Sequence, residues 1–324
     1  MATNLFRVCW LGGVCSLLVG CGDRFDPVSK IESVRILATR ADKPYAAPGD
    51  TVTLDMLAFD GRSSKPEPMR TYWVPSICAN PEGDTYYNCY PALANQFQPG
   101  VDLSSELQEG TAFAFQMPSD IIDTHAGGSS ATNYGLVVVF SVACAGHVEY
   151  VEPTSGGADA LPLGCFDSTH QKLGADDFVF AYSLIYSFTD RTNSNPVINS
   201  VSFGGATVDL QVGASIGRCS QSDIERCGSA ALDVVVSDES QEIDPGNLDT
   251  NENPLREQIW VDYYATGGKL KHDTLILFEP HNGRVSDTAN GFYAPGSPGS
   301  YLIWAVVHDN RGGVSWAQFP LRVN

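Results

Sequence analysis

The chain lacks any apolar run long enough to cross a bilayer: its longest, Val8 to Gly20, holds about a dozen mostly apolar residues against the ~20 a spanning helix needs. Bases are scarce, 19 Lys and Arg against 38 Asp and Glu, which gives a formal charge of −19. A surface of that sign repels phosphate backbones and argues against nucleic acid as a partner. No long segment carries a helical period, which argues against the α/β lobes of solute-binding lipoproteins. A glycine-rich phosphate loop after a strand and an HExxH helix are also missing, and with them two common routes to catalysis.

What the N-terminus does contain is an export signal. Arg7 is the only charged side chain before the run Val8–Gly20, and small residues close it. Leu18-Val19-Gly20-Cys21 resembles the bacterial lipobox, in which the cysteine is lipidated on sulfur, becomes residue one after cleavage and is acylated on its new amine. The resemblance implies a signal peptide over 1–20, a lipidated tether over 21–30 and a lipid bilayer as the first partner, through acylated Cys21. Two or three acyl chains anchor stably where one holds marginally. By the sorting convention of enteric bacteria Gly22 does not retain the chain at the inner membrane, so the expected location is the outer membrane, on its periplasmic or surface-exposed face.

Short alternating runs such as TVTLDMLAF, YGLVVVFSV and ALDVVVS predict an all-β chain. About 300 mature residues suit two sandwich domains in tandem. The first, over 31–190, begins in the manner of an immunoglobulin-like sandwich, with an alternating strand from Ile31 to Ala38, a turn at Pro48-Gly49-Asp50 and a second strand from Thr51 to Phe59. Residues 145–175 form an insertion before its last strand, 191–196 a polar linker, and 197–324 a second domain. Cys9 and Cys15 leave with the signal and Cys21 carries lipid, so six cysteines remain. An oxidising compartment favours sequential disulfides, Cys78–Cys89, Cys144–Cys165 and Cys219–Cys227, each stapling a polar loop.

From Val197 onward the segments VVVSDESQEIDPGN, YYATGGKL, YAPGSPGSYLIWAVVHDNRGG and VSWAQFPLRV resemble bacterial members of the polycystic-kidney-disease (PKD) and related immunoglobulin-like repeats. The whole layout resembles two-domain surface lipoproteins of myxobacteria, a likeness that carries no activity with it. The repeat resemblance implies a seven-stranded extracellular sandwich acting as spacer or adhesive module. It also implies a register: Ile259, Val261, Tyr263, Tyr301, Ile303, Ala305, Val307, Phe319 and Leu321 point inward, while Trp260, Tyr264, Leu302, Trp304, Val306 and Trp316 share one outer face. Such a face is an interaction patch for a partner or glycan, or else it is covered within the chain by the first domain or the 219–256 loops.

Three constellations are weighed for chemistry. GASIG, 213–217, fits the spacing of a nucleophile elbow around Ser215, but a polar loop follows it where the elbow requires a helix. Cys144, His147, Cys165 and His170 have the types and spacing of a zinc site, against which stands a Cys144–Cys165 disulfide. The loop 238–252 gathers Asp238, Glu239, Glu242, Asp244, Asp249 and Glu252, oxygen ligands of the kind calcium takes. Pro254 and Trp260 occupy the turn and bidentate positions of an EF-hand, which excludes that motif, so any calcium site there would be irregular. The expectation is therefore a non-catalytic, lipid-anchored surface protein without a required cofactor, serving as adhesive, scaffold or envelope-assembly component with an envelope protein or a glycan as partner. The rival reading is an exported carbohydrate-binding or hydrolase-accessory module.

Overall fold

The computed structural model describes residues 27–97, 100–125, 134–152 and 161–324. Cys21 and the signal segment lie outside them. The fold is all-β, 48% strand and 6% helix, in two immunoglobulin-like sandwiches. No helix of the described residues is long and apolar enough to cross a membrane.

The first sandwich contains β1 (Val34–Ala41), β2 (Thr51–Asp60), β3 (Arg70–Trp73), β4 (Ala112–Gln116), β5 (Gly135–Cys144), β6 (His147–Tyr150), β7 (Leu163–Phe166) and β8 (Phe178–Ser187). One sheet runs β1-β2-β4; the other centres on β8-β5-β3, with Tyr45–Ala46 added parallel to β8. Trp73, Val52, Leu54, Phe113, Met117, Val137 and Val139 pack between them. Every residue of β5 is buried. That explains its unbroken apolar run: Val137 and Val139 face the β1-β2-β4 sheet, while Val138, Phe140 and Val142 face a second cluster with Leu93, Leu103, Val148 and Leu163. The outer layer of that cluster comes from residues 86–97 and 103–107 and from strands β6 and β7. Cys78–Cys89 and Cys144–Cys165 hold these insertions, with Cα separations of 5.9 and 5.6 Å.

The second sandwich contains β9 (Ile198–Phe203), β10 (Ala230–Val236), β11 (Ile259–Ala265), β12 (Thr274–Glu279), β13 (Asn290–Tyr293), β14 (Gly299–Asp309) and β15 (Val314–Val323). Its sheets run β9-β10-β13 and β15-β14-β11-β12, with Ala214–Ile216 parallel to β15. Ile259, Val261, Tyr263, Ile303, Ala305, Val307, Phe319 and Leu321 fill the core between them. Cys219 and Cys227 are bonded, Cα atoms 5.8 Å apart.

The end of the segment read as a tether lies against the second sandwich: Ala265 N donates to Ser29 O at 2.8 Å and Ile31 N donates to Ala265 O at 3.0 Å. The reason is apolar, since Ile31 is buried in a cluster with Leu37 and Trp304.

The Tyr263 hydroxyl is buried with no hydrogen-bond partner among the described residues. Removing an unsatisfied buried hydroxyl relieves its desolvation cost. Tyr263→Phe is therefore expected to keep or raise stability, by up to about 1 kcal/mol, in denaturant unfolding; a loss of that size would show that the hydroxyl is satisfied.

Candidate functional site

The outer face of β11, β14 and β15 is the chief feature of this molecule, and the first sandwich covers it. Along β2 the residues opposite the core begin polar, at Thr51, Thr53 and Asp55, and become apolar at Leu57 and Phe59. The apolar end meets Trp304, Tyr264 and Leu302. Phe59 and Trp304 rings lie 4.8 Å apart, edge to face. On β1 the register slips between Ile36 and Ala38, leaving Leu37 without an opposite residue. A bulge of this kind re-aims side chains, and the consecutive Leu37 and Ala38 both join the seam, Leu37 against Trp304 and Ala38 against Val306.

Polar groups at the seam are satisfied. Trp304 Nε1 donates to Gln318 Oε1 at 2.8 Å, and the Arg40 guanidinium lies 4.4 Å over the Trp316 ring while pairing with Asp55 at 2.9 Å. Burial pushes the Tyr264 hydroxyl up to about 12. Of the six residues read as an outer patch, Trp304 and Val306 are fully buried, and Tyr264, Leu302 and Trp316 pack beside them. Trp260 stacks on His308 at 5.3 Å, at a half-buried position. Of the two alternatives for this face, open patch or cover within the chain, the second is found: β1 and β2 of the first sandwich occupy it.

A buried charge cluster closes one end of the seam. Arg311 donates through Nε to Glu257 at 2.5 Å, and through Nη2 to Glu242 at 2.8 Å and to Asn193 Oδ1 at 3.0 Å. Its guanidinium also sits 5.4 Å over the Tyr45 ring of the first sandwich. Asp309 accepts from the backbone N–H of Arg311 at 2.7 Å and of Gly313 at 2.8 Å. A Cβ at Gly313 would fall 2.0 Å from Asp309 Oδ2, so only glycine fits. Asn195 then bridges the domains, donating to Ala41 O at 2.7 Å and accepting from Val314 N at 2.8 Å. Sequence reasoning missed this cluster; the linker asparagines and DNRGG carry no spacing that marks one.

Four of the acids proposed for calcium have partners within the chain. Asp238 pairs with Arg284 at 2.6 Å, Glu242 with Arg311, and Asp249 Oδ1 accepts from the N–H groups of Asn251 and Asn253. Asp244 accepts from Gly246 N at 3.1 Å. Among the described residues, Asp238, Glu239, Glu242, Asp244 and Asp249 do not bring three ligand atoms within 4.8 Å of one another. The guanidinium of Arg311 is the cation at this corner. Ser215 lies in the parallel edge strand beside β15, not at a strand-to-helix turn. Cys144 and Cys165 are disulfide-bonded, which removes both thiolates from the zinc set.

Beside the linker opens a cleft of about 660 Å³, bordered by Lys43, Tyr45, Phe188 and Arg191. An adjoining recess is lined by Tyr134 and Tyr186 together with Tyr45 and Phe188. The Arg191 guanidinium lies 4.7 Å over Phe188.

No protein-family model and no curated protein matches the sequence. Among solved structures the chain is similar to the fibronectin(III)-like modules of Clostridium thermocellum CbhA, at 10% identity over 89% of this chain and 94% of that one, TM-score 0.21. It is also similar to latent PorU of Porphyromonas gingivalis, at 8% identity over 91% of this chain and 24% of that one, TM-score 0.21. A third similarity is to three N-terminal domains of the bacteriophage RB49 outer capsid protein Hoc, at 9% identity over 90% and 99%, TM-score 0.18. Likenesses of this size carry nothing about what the chain binds.

Two outcomes are expected at the seam. In a double-mutant cycle, Phe59→Ala and Trp304→Ala should couple by about 0.5–1.5 kcal/mol, the range of an edge-to-face pair; additive losses would mean the rings do not meet. The second concerns Glu257, whose carboxyl is pushed by burial and by the Asp309 carboxylate from 4.5 up to about 7, with Arg311 opposing. Between those values the folded chain holds a proton that the unfolded chain has released, so this group's contribution to stability is full below 4.5 and falls as pH rises to about 7. Glu257→Gln should flatten that slope in melting curves taken across the window, and an unchanged slope would count against it.

Proposed function

We propose that this chain is a lipid-tethered, non-catalytic component of a bacterial cell envelope, in which two immunoglobulin-like sandwiches act as one stiff strut for an envelope protein. The seam carries this reading. A pair of beads on a loose string would leave the β11-β14-β15 face open, whereas here the aromatic residues fasten one domain to the other. Stiffness of that kind suits a spacer or assembly part better than an enzyme, whose chemistry needs a convergent set of acid, base and nucleophile. The lipobox at Leu18–Cys21 supports an anchor in the outer membrane, and the charge of −19 supports a partner that is not nucleic acid.

A glycan partner is the second reading, favoured by one observation: Tyr45, Tyr134, Tyr186 and Phe188 line the recess beside the linker cleft. Aromatic faces at the edge of a cleft suit stacking on sugar rings.

Crosslinking in intact cells, followed by purification and mass spectrometry, tests the strut. Wild-type chain should capture a defined envelope protein; Cys21→Ser should leave the detergent phase and lose that capture, because the lipid is built on the Cys21 sulfur. A Cys21→Ser chain that stays in the detergent phase would overturn the anchor. Glycan-array binding abolished by Tyr186→Ala, with no protein captured, would replace the strut by the sugar reader.

A further inference from the structure

The β6–β7 hairpin of the first sandwich brings together three metal-ligating groups that the zinc reading of the sequence did not assemble. His147 Nε2 and His170 Nδ1 each lie 2.6 Å from one oxygen, Glu149 Oε1, and the three ligand atoms fall within 4.8 Å of one another. Among the described residues this is the one group of three His, Cys, Asp or Glu so placed. We propose that His147, Glu149 and His170 form a binding site for a divalent transition-metal ion of the zinc class, with a fourth position open to solvent.

Three features of the fold hold the ligands ready. His147 and Glu149 are two residues apart on β6, so the pleat sends both side chains to one face. The partner strand β7 sets Phe166 opposite His147, and the Cys144–Cys165 disulfide ties this hairpin to the end of β5. The bond that removes two thiolates from the sequence-derived set thus fixes the frame for a set without sulfur. His170 follows on a turn that Asp167 organises: its Oδ1 accepts from the N–H of Thr169 at 2.8 Å, the Thr169 hydroxyl at 2.7 Å and the N–H of Gln171 at 2.9 Å. His170 itself has a φ of +62°, a conformation that L residues seldom adopt, and its ring is thereby carried to Glu149.

The chemistry fits a borderline metal better than calcium. Two imidazole nitrogens and one carboxylate are a set zinc accepts, and an open fourth place is what three protein ligands leave. Zinc at 2.0–2.1 Å from tetrahedral ligands separates them by ~3.3 Å. The two 2.6 Å contacts would therefore open by well under 1 Å as the ion replaces the ring protons between the nitrogens and Glu149 Oε1. Each metal-bound ring would keep its one hydrogen on the nitrogen that faces away from the ion. Glu149 is only 7% exposed in its side chain, while His170 is 67% exposed, which gives the ion an entry side. Asp102 pairs with Glu149 across an antiparallel bridge, and its carboxylate adds negative charge next to both imidazoles.

The test uses the full chain, stripped with chelator, exchanged into metal-free buffer and dialysed against zinc sulfate, with bound metal read by mass spectrometry. One zinc per chain is expected, with a rise in melting temperature, and cobalt(II) should give the visible absorption of a tetrahedral nitrogen–oxygen site. Glu149→Gln and His170→Ala should each weaken binding by about tenfold or more, the lower bound set by losses of mere supporting groups. His170→Ala trims an exposed side chain and so keeps the comparison clear of misfolding. His281→Ala, at an exposed histidine elsewhere, should change nothing. No retained zinc, or zinc retained equally by the His170→Ala chain, would overturn the site, as would loss caused equally by His281→Ala.

Discussion

The arrangement of the whole molecule depends on Trp304. A large indole on the outer face of a sheet is poorly placed in water, and here it has no exposed surface because Ile31, Leu37 and Phe59 cover it. That one contact demands that β1 and β2 present apolar residues on both faces: toward their own core through Val52, Leu54 and Met56, and toward the second sandwich through Leu57 and Phe59. The bulge at Leu37 meets the same demand on β1. The result is a stack of layers in which the β1-β2-β4 sheet serves two cores at once.

The charge cluster at Arg311 works in the opposite sense. Burying Glu257, Asp309 and Arg311 is costly, and their mutual pairing offsets that cost only with good geometry. Their value lies in specificity: Arg311 reaches Thr192 O and Asn193 in the linker as well as Glu242 and Glu257 in its own domain. Apolar contact could slide; the directed bonds of this guanidinium hold the linker against the second sandwich, beside the Tyr45 ring of the first. Hydrophobic burial thus supplies the adhesion of the seam and the ionic corner supplies its register.

Much of this was legible in the sequence where a period-2 pattern carried it. The inward set from Ile259 to Leu321 and the outward set around Trp304 follow from alternation once the resemblance to PKD-like repeats fixes the strands. The disulfides follow from cysteines flanking polar loops. Which part of the chain covers the outer face, the first domain or the 219–256 loops, stayed open, because a strand such as TVTLDMLAF shows which residues alternate but not which distant surface its second face meets. The Arg311 cluster was invisible for a related reason: Asn193 and Glu257 lie 118 and 54 residues from Arg311, and only the closed fold makes them neighbours. The contact of Ser29 and Lys30 with Ala265 was likewise not legible, because Ala265 lies more than 230 residues away in the sequence.

Layering also decides where a partner can bind. The sheet of β11, β14 and β15 is closed by the first sandwich, and the β5 sheet is closed by residues 86–97 and 103–107 and by strands β6 and β7. Two of the sheet faces are therefore spent on this chain's own packing. What stays available includes the outer face of β9-β10-β13, the stapled insertions, the acidic 238–252 loop and the cleft beside the linker. Since Ser29 to Ile31 are pinned beside Ala265, any lipid on Cys21 tethers the molecule at its second sandwich, eight residues from the first pinned one. The disulfide-held insertions of the first sandwich, in the layer farthest from that seam, are then the surface most free to meet another molecule.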